Sequence, residues 1–511
     1  SSGCHNKSLS SGSVLTIRLG GNVKNTHKLL LATMLGALYS APVMSNCIAG
    51  GDADSPTLLC TATDSGNIND NRNNLAVTIE EDGELVRASG RPVQLGGSNQ
   101  SVNNLGLIES GNDDAIRGRG ENLTIDNWGT IIGGDRGIRL QNDAHNFTLI
   151  NQATAEIFAV RQAVRLDEEF ALENAHITNY GLIESSEGRA IQSRGPGTTV
   201  INYGTLRGNE EVIEAREDFY LENYGTIALH GLSWDADTRT WTNTGATSDE
   251  DGVQFASGEV HNYGVILGTD DGIDIDEGLV HNYATGVIIS TGSADDPLNG
   301  GSGIDIDPFF EPTVGEVRTA GPLTIINEGY IEGVSAIGAD EASTAEITIE
   351  NSGTLVGRGG NAIELAPNQG NSSLLLTGNS EIIGNVIFGS GDDTLIIDGL
   401  NLTSGLLSTG FFDGGLGYNS VIFNDFSLSN ILSIDMTDAL IYMSFGIANN
   451  ELFSGSFTNF SSWTFGIDGT FSTSALLSQF SNPSAVPLPA ALPLFAFGLL
   501  GLWAGRARLL G

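Results

Sequence analysis

Leu221-Glu222-Asn223-Tyr224-Gly225-Thr226-Ile227 is one copy of a pattern that recurs between residues 100 and 360: apolar, any, Asn, aromatic or small, Gly, any, Ile/Leu/Val. Ile125-Asp126-Asn127-Trp128-Gly129-Thr130-Ile131 is another copy, and others start at Ile177, Val200, Val260, Val280, Ile325 and Ile349. The Asn positions are 104, 127, 151, 179, 202, 223, 243, 262, 282, 327 and 351, with degenerate copies at Asn151 and Asn243. Successive spacings are 23, 24, 28, 23, 21, 20, 19, 20, 45 and 24, and the gap of 45 predicts one extra coil plus loops.

Midway in each unit sits a second element, small residue, Ile or Val, polar, apolar, as in Gly137-Ile138-Arg139-Leu140 and Gly272-Ile273-Asp274-Ile275. Period-2 alternation inside units of this length predicts short strands joined by turns, not helices. Such a unit cannot bury its apolar face alone and must stack on its neighbours. The predicted fold is therefore all-β, a parallel β-helix with right-handed coiling. An inward Asn can bridge its own turn and the same Asn on the next coil. Asn127, Asn179, Asn202, Asn223, Asn262, Asn282, Asn327 and Asn351 are expected to form that ladder, satisfying backbone groups that the turns leave unpaired. Gly is expected to supply the backbone freedom of each turn. At about 4.8 Å per coil the marked part would be roughly 50 Å long. Trp128, Tyr180, Tyr203, Tyr224, Tyr263 and Tyr283 would stack beside the ladder, as turn packing or as a sugar-binding strip.

Composition narrows the function. The 511 residues carry 22 Lys+Arg against 62 Asp+Glu, a formal net charge of -40. So few cations leave no phosphate-reading surface, and nucleic acid is not an expected partner. The chain is not a disordered acidic tail, because 40% of it is apolar and the apolar positions are periodic. Charge of this size favours solubility and mutual repulsion outside the cell.

The ends carry addressing signals. Lys24, His27 and Lys28 precede the apolar run Leu29 to Leu38, followed by small residues around Ser40, Ala41 and Ser45. This order reads as a secretory signal, with a buried helix as the alternative. Cys47 and Cys60 would survive cleavage, and in an exported chain a close pair reads as a disulfide before a metal site. At the other end stand Val486, Pro487, Leu488, Pro489 and Ala490, then an apolar run from Ala491 to Gly505, then Arg506 and Arg508. That run predicts a C-terminal hydrophobic helix, short for a membrane span, with its basic end held on the cytoplasmic side. This tail closely resembles the VPLPA-CTERM sorting tails, relatives of the PEP-CTERM tails handled by exosortases in Gram-negative bacteria. The resemblance implies export, transient membrane retention and processing near the motif by exosortase-type sorting machinery; a plain membrane anchor is the alternative.

The repeats, from the cysteine pair through Gly389-Ser390-Gly391-Asp392-Asp393-Thr394-Leu395 to Phe460-Ser461-Ser462-Trp463-Thr464-Phe465, resemble the β-helical passenger domains of autotransporter adhesins. That resemblance implies a cell-surface or matrix protein with a structural or adhesive role and a polysaccharide or cell-surface ligand. The chain departs from the family where a translocating β-barrel should follow, since 48 residues remain after Trp463.

Acidic coils carry the candidate chemistry. On the outward column Arg117, Arg139, Arg165, Gln192, Glu214, Gln254, Asp274 and Asp305, the last two sit on adjacent coils, with Asp276 and Asp307 two positions further. Four carboxylates about 5 Å apart would repel unless protonated or bridged by a cation, and calcium, a hard ion that takes carboxylate oxygens, suits them. A solvated acidic face is the alternative. Thr269-Asp270-Asp271-Gly272-Ile273 resembles the paired aspartates of β-helical polygalacturonases, whose Gly-His-Gly and Arg-x-Lys elements the chain lacks. A β-helical polysaccharide lyase or glycoside hydrolase acting around residues 270–307 is thus the competing function, and no catalytic residue is assigned. The expected organisation is an upstream segment and signal (1–45), a cap and first coils (46–100), β-helix repeats (101–400), C-terminal coils (401–484) and the sorting tail (485–511). Insertions within 291–322 are the loops expected to make contacts, by their length.

Overall fold

Strands of two to five residues cannot form a sheet by themselves, and here they gain their partners one coil away. The computed structural model describes residues 47–480, apart from 142–143, 168–173, 247–248, 294–300, 307–320, 340–343, 400–409 and 448–449. The chain winds as a parallel β-solenoid of about 13 turns. Most coils contribute three short strands, and each pairs in parallel with its counterpart one coil before and after. Thr199–Asn202, Thr205–Gly208 and Ile213–Glu214 form one such coil. The first of these pairs with His176–Asn179 and with Phe219–Asn223. Alternation within each strand sends every second residue inward, so Ile125, Leu149, Ile177, Val200, Leu221, Val260, Val280 and Ile325 stack in the core, fully buried.

The register keeps like over like. Asn104, Asn127, Asn151, Asn179, Asn202 and Asn223 are successive partners, then Asn262, Asn282, Asn327 and Asn351. Two expectations fall here. Asn223 pairs directly with Asn262, so Asn243 is no ladder residue; it ends the antiparallel hairpin Leu232–Asp235/Thr240–Asn243. Asn282 likewise pairs directly with Asn327, so the gap of 45 holds one coil with an insertion and no extra coil. Spacing alone cannot separate a coil from an excursion of equal length. Asn151, degenerate by sequence, is a full member.

The glycine that follows most ladder asparagines has a different task from the one expected. None of Gly129, Gly204, Gly225 or Gly264 has a left-handed φ. Instead the turns lie backbone on backbone: a Cβ on Gly225 would meet the Gly204 carbonyl oxygen at 2.0 Å. Gly suits these four turns because a Cβ would press on the coil before; at Asn151 the equivalent place is held by Ala155, whose carbonyl accepts from the Asn151 amide. Left-handed backbone occurs elsewhere, at Asn74, Asn99, Asn122 and Asn146, with φ between 56° and 58°, a conformation that Asn tolerates.

Both ends of the stack are closed. At the start Cys47–Gly51 pairs antiparallel with Pro56–Cys60, and a disulfide joins Cys47 to Cys60. At the other end aromatics replace aliphatics in the core, among them Phe412, Phe423, Phe457, Trp463 and Phe465, all buried. Ser462–Phe465 makes the last parallel pairing, and the eight-residue helix Thr473–Phe480 follows, with Leu476 buried. Among the described residues no helix is long and apolar enough to cross a membrane. The expected signal, the hydrophobic run 491–505 and the motif residues Val486 to Ala490, Arg506 and Arg508 lie outside the described residues, as does most of 291–322.

Candidate functional site

The ladder is a continuous amide chain. Each Asn Nδ2 donates to the Oδ1 of the next, at 2.8 to 2.9 Å, in nine steps from Asn104 to Asn351. The second hydrogen of most of these amides reaches turn carbonyls, as from Asn223 to Val265 at 3.2 Å. All ten residues are buried, and a buried amide without partners would destabilise the fold. The ladder is therefore structural. A second ladder, which the sequence reading missed, runs on the exposed left-handed corner from Asn146 through Asn122 and Asn99 to Asn74. Four asparagines at spacings of 25, 23 and 24 are its sequence trace.

Tyr180, Tyr203, Tyr224, Tyr263 and Tyr283 stack in sequence, with ring centroids 4.9, 4.8, 4.7 and 3.9 Å apart. Trp128 stands apart, because Gln152 occupies the position between it and Tyr180. The stacked rings cover one another's faces, which are the surfaces a sugar ring would need. Turn packing accounts for this column. His261 and His281 are register partners, and the His281 ring stacks on Tyr283 at 3.7 Å.

The outward column of the third strand is not an open face. Gln192, Glu214, Asp274 and Asp305 are all buried, Asp305 to 3% exposure, because residues stacked at the coil spacing shield one another. Its first half is neutralised. Arg117 meets Asp114, Asp167 takes both Arg139 and Arg165, and Asp135 takes Arg136 and Arg161. Arg165 continues to Gln192 at 2.6 Å, and Gln192 to Glu214.

Beyond Arg189, which gathers Glu210, Glu211 and Glu214, the column turns acidic. Asp274 and Asp305 are register partners as expected, and the Gln254 amide donates to Asp274 at 2.8 Å. Asp276 is buried nearby on the same strand, and Asp307 lies outside the described residues. The tightest group is a different one. Asp251, Asp270 and Asp271 bring carboxylate oxygens within 4.8 Å of one another, at the turn before the third strand. The Asp271 amide donates to Asp251 at 3.0 Å, and the Ser302 amide donates to the Asp271 carboxylate at 2.6 Å. Burial pushes Asp271 well above the ordinary carboxylate range, helped by the charges of Asp305, Asp251, Asp270 and Asp274. Burial, then Asp270, does the same to Asp251. Glu250 is pushed up to about 7, by burial first and then by Glu211. The sequence reading had Asp270 and Asp271 as a pair, but Asp251 lies a coil away and could be found only from the register. Oxygen donors of this kind suit a hard cation or a shared proton.

A separate cleft of about 510 Å³ opens where the hairpin 232–243 lies over the coil turns, lined by Trp234, Arg239, Tyr330 and Ser352 among others. Comparison with protein families, with curated proteins and with solved structures yields no match to this chain.

Proposed function

We propose that the chain is an exported right-handed β-helix of a Gram-negative bacterium, held at the cell surface or in the matrix through its C-terminal tail, where it acts as a structural or adhesive rod. The observation carrying this reading is the in-register stack, whose buried asparagine ladder bonds turn carbonyls along the repeats, in a chain of net charge -40. Such a solenoid gives a stiff, extended surface, and its charge keeps neighbouring rods apart. Exosortase-type machinery would act at Val486 to Ala490, with Arg506 and Arg508 as the stop. Expression with and without an exosortase, followed by protease shaving of whole cells, tests this. Equal surface exposure with the motif replaced by alanines would sink the sorting reading.

Calcium is the ion we propose for the acidic turn, at Asp251, Asp270 and Asp271. The quartet Asp274, Asp276, Asp305 and Asp307 is the rival set. Calorimetry on the full chain separates them: binding should vanish on Asn substitution of the first set and persist in the second.

One observation favours the enzymatic alternative. Asp271, its carboxyl pushed up by burial beside the partly exposed Asp270, has the pairing that glycoside hydrolysis uses. Release of reducing ends or unsaturated products from acidic polysaccharides, abolished in Asp271→Asn, would establish that reading in place of the adhesive one.

A further inference from the structure

The repeat changes character after Tyr283. Up to there an aromatic ring follows the ladder Asn on most coils; on the next two coils the position holds Glu328 and Ser352. The turn surface is thereby lowered at the point where the hairpin crosses it. The hairpin leaves the stack after His230, and its two tryptophans face each other across the strands. Trp241 fixes it: the indole N–H donates to Glu332 at 3.1 Å, and the Arg358 guanidinium lies over the ring at 5.4 Å. Arg358 is itself held by Glu332 at 3.1 Å and by the carbonyls of Ser290 and Gly292. An excursion anchored this firmly has a reason to stay in place.

What it encloses has a defined chemistry. Trp234 and Tyr330 form an aromatic wall, their rings 5.7 Å apart and tilted by 35°. Opposite them the lowered turns offer Glu328, Ser352 and the backbone of Gly353. Arg239, at the hairpin tip with a left-handed φ of 50°, is exposed, lines the cleft and pairs with no carboxylate among the described residues. In a chain of net charge -40, an unneutralised guanidinium beside a cleft is set aside for something else.

We infer that this cleft, between the hairpin and the turns at Glu328 and Ser352, binds a short neutral oligosaccharide. Its volume lies in the range of ligand sites. A sugar ring presents an apolar face of C–H groups, which suits indole and phenol, and a rim of hydroxyls that both donate and accept. Arg239 donates to a pair of those hydroxyls, Glu328 accepts, and Ser352 does either. Uronate polymers have Arg239 as one attraction and the whole acidic exterior as repulsion. The inference deepens the adhesive reading and relies on it only for where the glycan comes from.

The test is an array of neutral and uronate-bearing oligosaccharides probed with the full chain, followed by titration of the best neutral binder. Arg239→Ala should weaken that binder about tenfold, the scale of one good polar contact. Ser352→Tyr should abolish binding by restoring the ring that the earlier coils carry. It adds a side chain at a half-buried turn position that carries a tyrosine on earlier coils, so the fold survives where Trp234→Ala could loosen the hairpin. An array with no neutral binder, uronate glycans bound in preference, or affinity unchanged in Ser352→Tyr would each overturn the inference. Loss of surface display in cells with sugar binding intact in the purified chain would refute the adhesive reading alone.

Discussion

From Arg117 to Arg165 the outer column of the third strand carries arginines between aspartates, while from Asp274 to Asp305 the same column carries only carboxylates. Both stretches pair in parallel register one coil apart, but Arg139 and Arg165 are half-buried where Asp274 and Asp305 are buried, and the charge changes sign. In the first, each buried anion has a guanidinium. In the second, carboxylate stacks over carboxylate, and the Gln254 amide donates to Asp274. The same parallel register accommodates both charge patterns, and the response of the solenoid to pH depends on which coils are considered.

The largest effect is expected where compensation is removed. Arg117→Ala leaves Asp114, whose side chain is fully buried, without its main partner, and should destabilise the protein by about 3 kcal/mol. Urea unfolding at pH 7 measures it; a loss below 0.5 kcal/mol would mean that Asp114 is not held as a buried anion. The ladder runs through both stretches and serves as the control. Asn223→Ala takes the ladder partner from both the Asn202 amide and the Asn262 carbonyl and should cost about 2 kcal/mol. An equal loss in Asn262→Ala would show that the amide chain ignores the charge of the coil it crosses.

Next comes pH. Burial pushes Asp135 and Asp167 up, but Arg161 and Arg136 for the one, and Arg165 and Arg139 for the other, outweigh it and hold both below the ordinary value. Their contribution is present above pH 3.8 and is lost as pH falls through the lowered values. Asp251, Asp271 and Glu250 are raised. Their contribution is complete below the unfolded value and is lost as pH rises, for Glu250 through about 7. Asp271→Asn should therefore stabilise the protein at pH 8 and do little at about pH 3.5, below the unfolded value. Thermal melts at both values decide it, and identical shifts at the two would refute the raised values. The smallest effect belongs to the tyrosines: Tyr203→Ser removes two stacking contacts at a half-exposed site and should cost about 1 kcal/mol. A larger loss would make the column part of the core.

Sequence reading reached the coils, the ladder and the stacked tyrosines because a solenoid repeats its local environment, and repetition is visible in one dimension. It misplaced Asn243 and the gap of 45 because chain inserted between two ladder positions can be as long as a coil, as that carrying the hairpin 232–243 is. It found Asp274 over Asp305 because both lie in the repeat. It missed Asp251 beside Asp271 and the exposed ladder of Asn74, Asn99, Asn122 and Asn146, whose members sit at turns where no strong apolar pattern flags them.

The order of residues by itself determined the strand period, the inward asparagines and the chain's excess of negative charge, since each follows from residue type and spacing. Only the tertiary structure decided which carboxylates share a turn, that the turn glycines serve close approach and not backbone freedom, and that residues 232–243 fold back over coils formed about a hundred residues later. Those outcomes depend on distances between segments far apart in the chain, which register and docking set and local sequence does not.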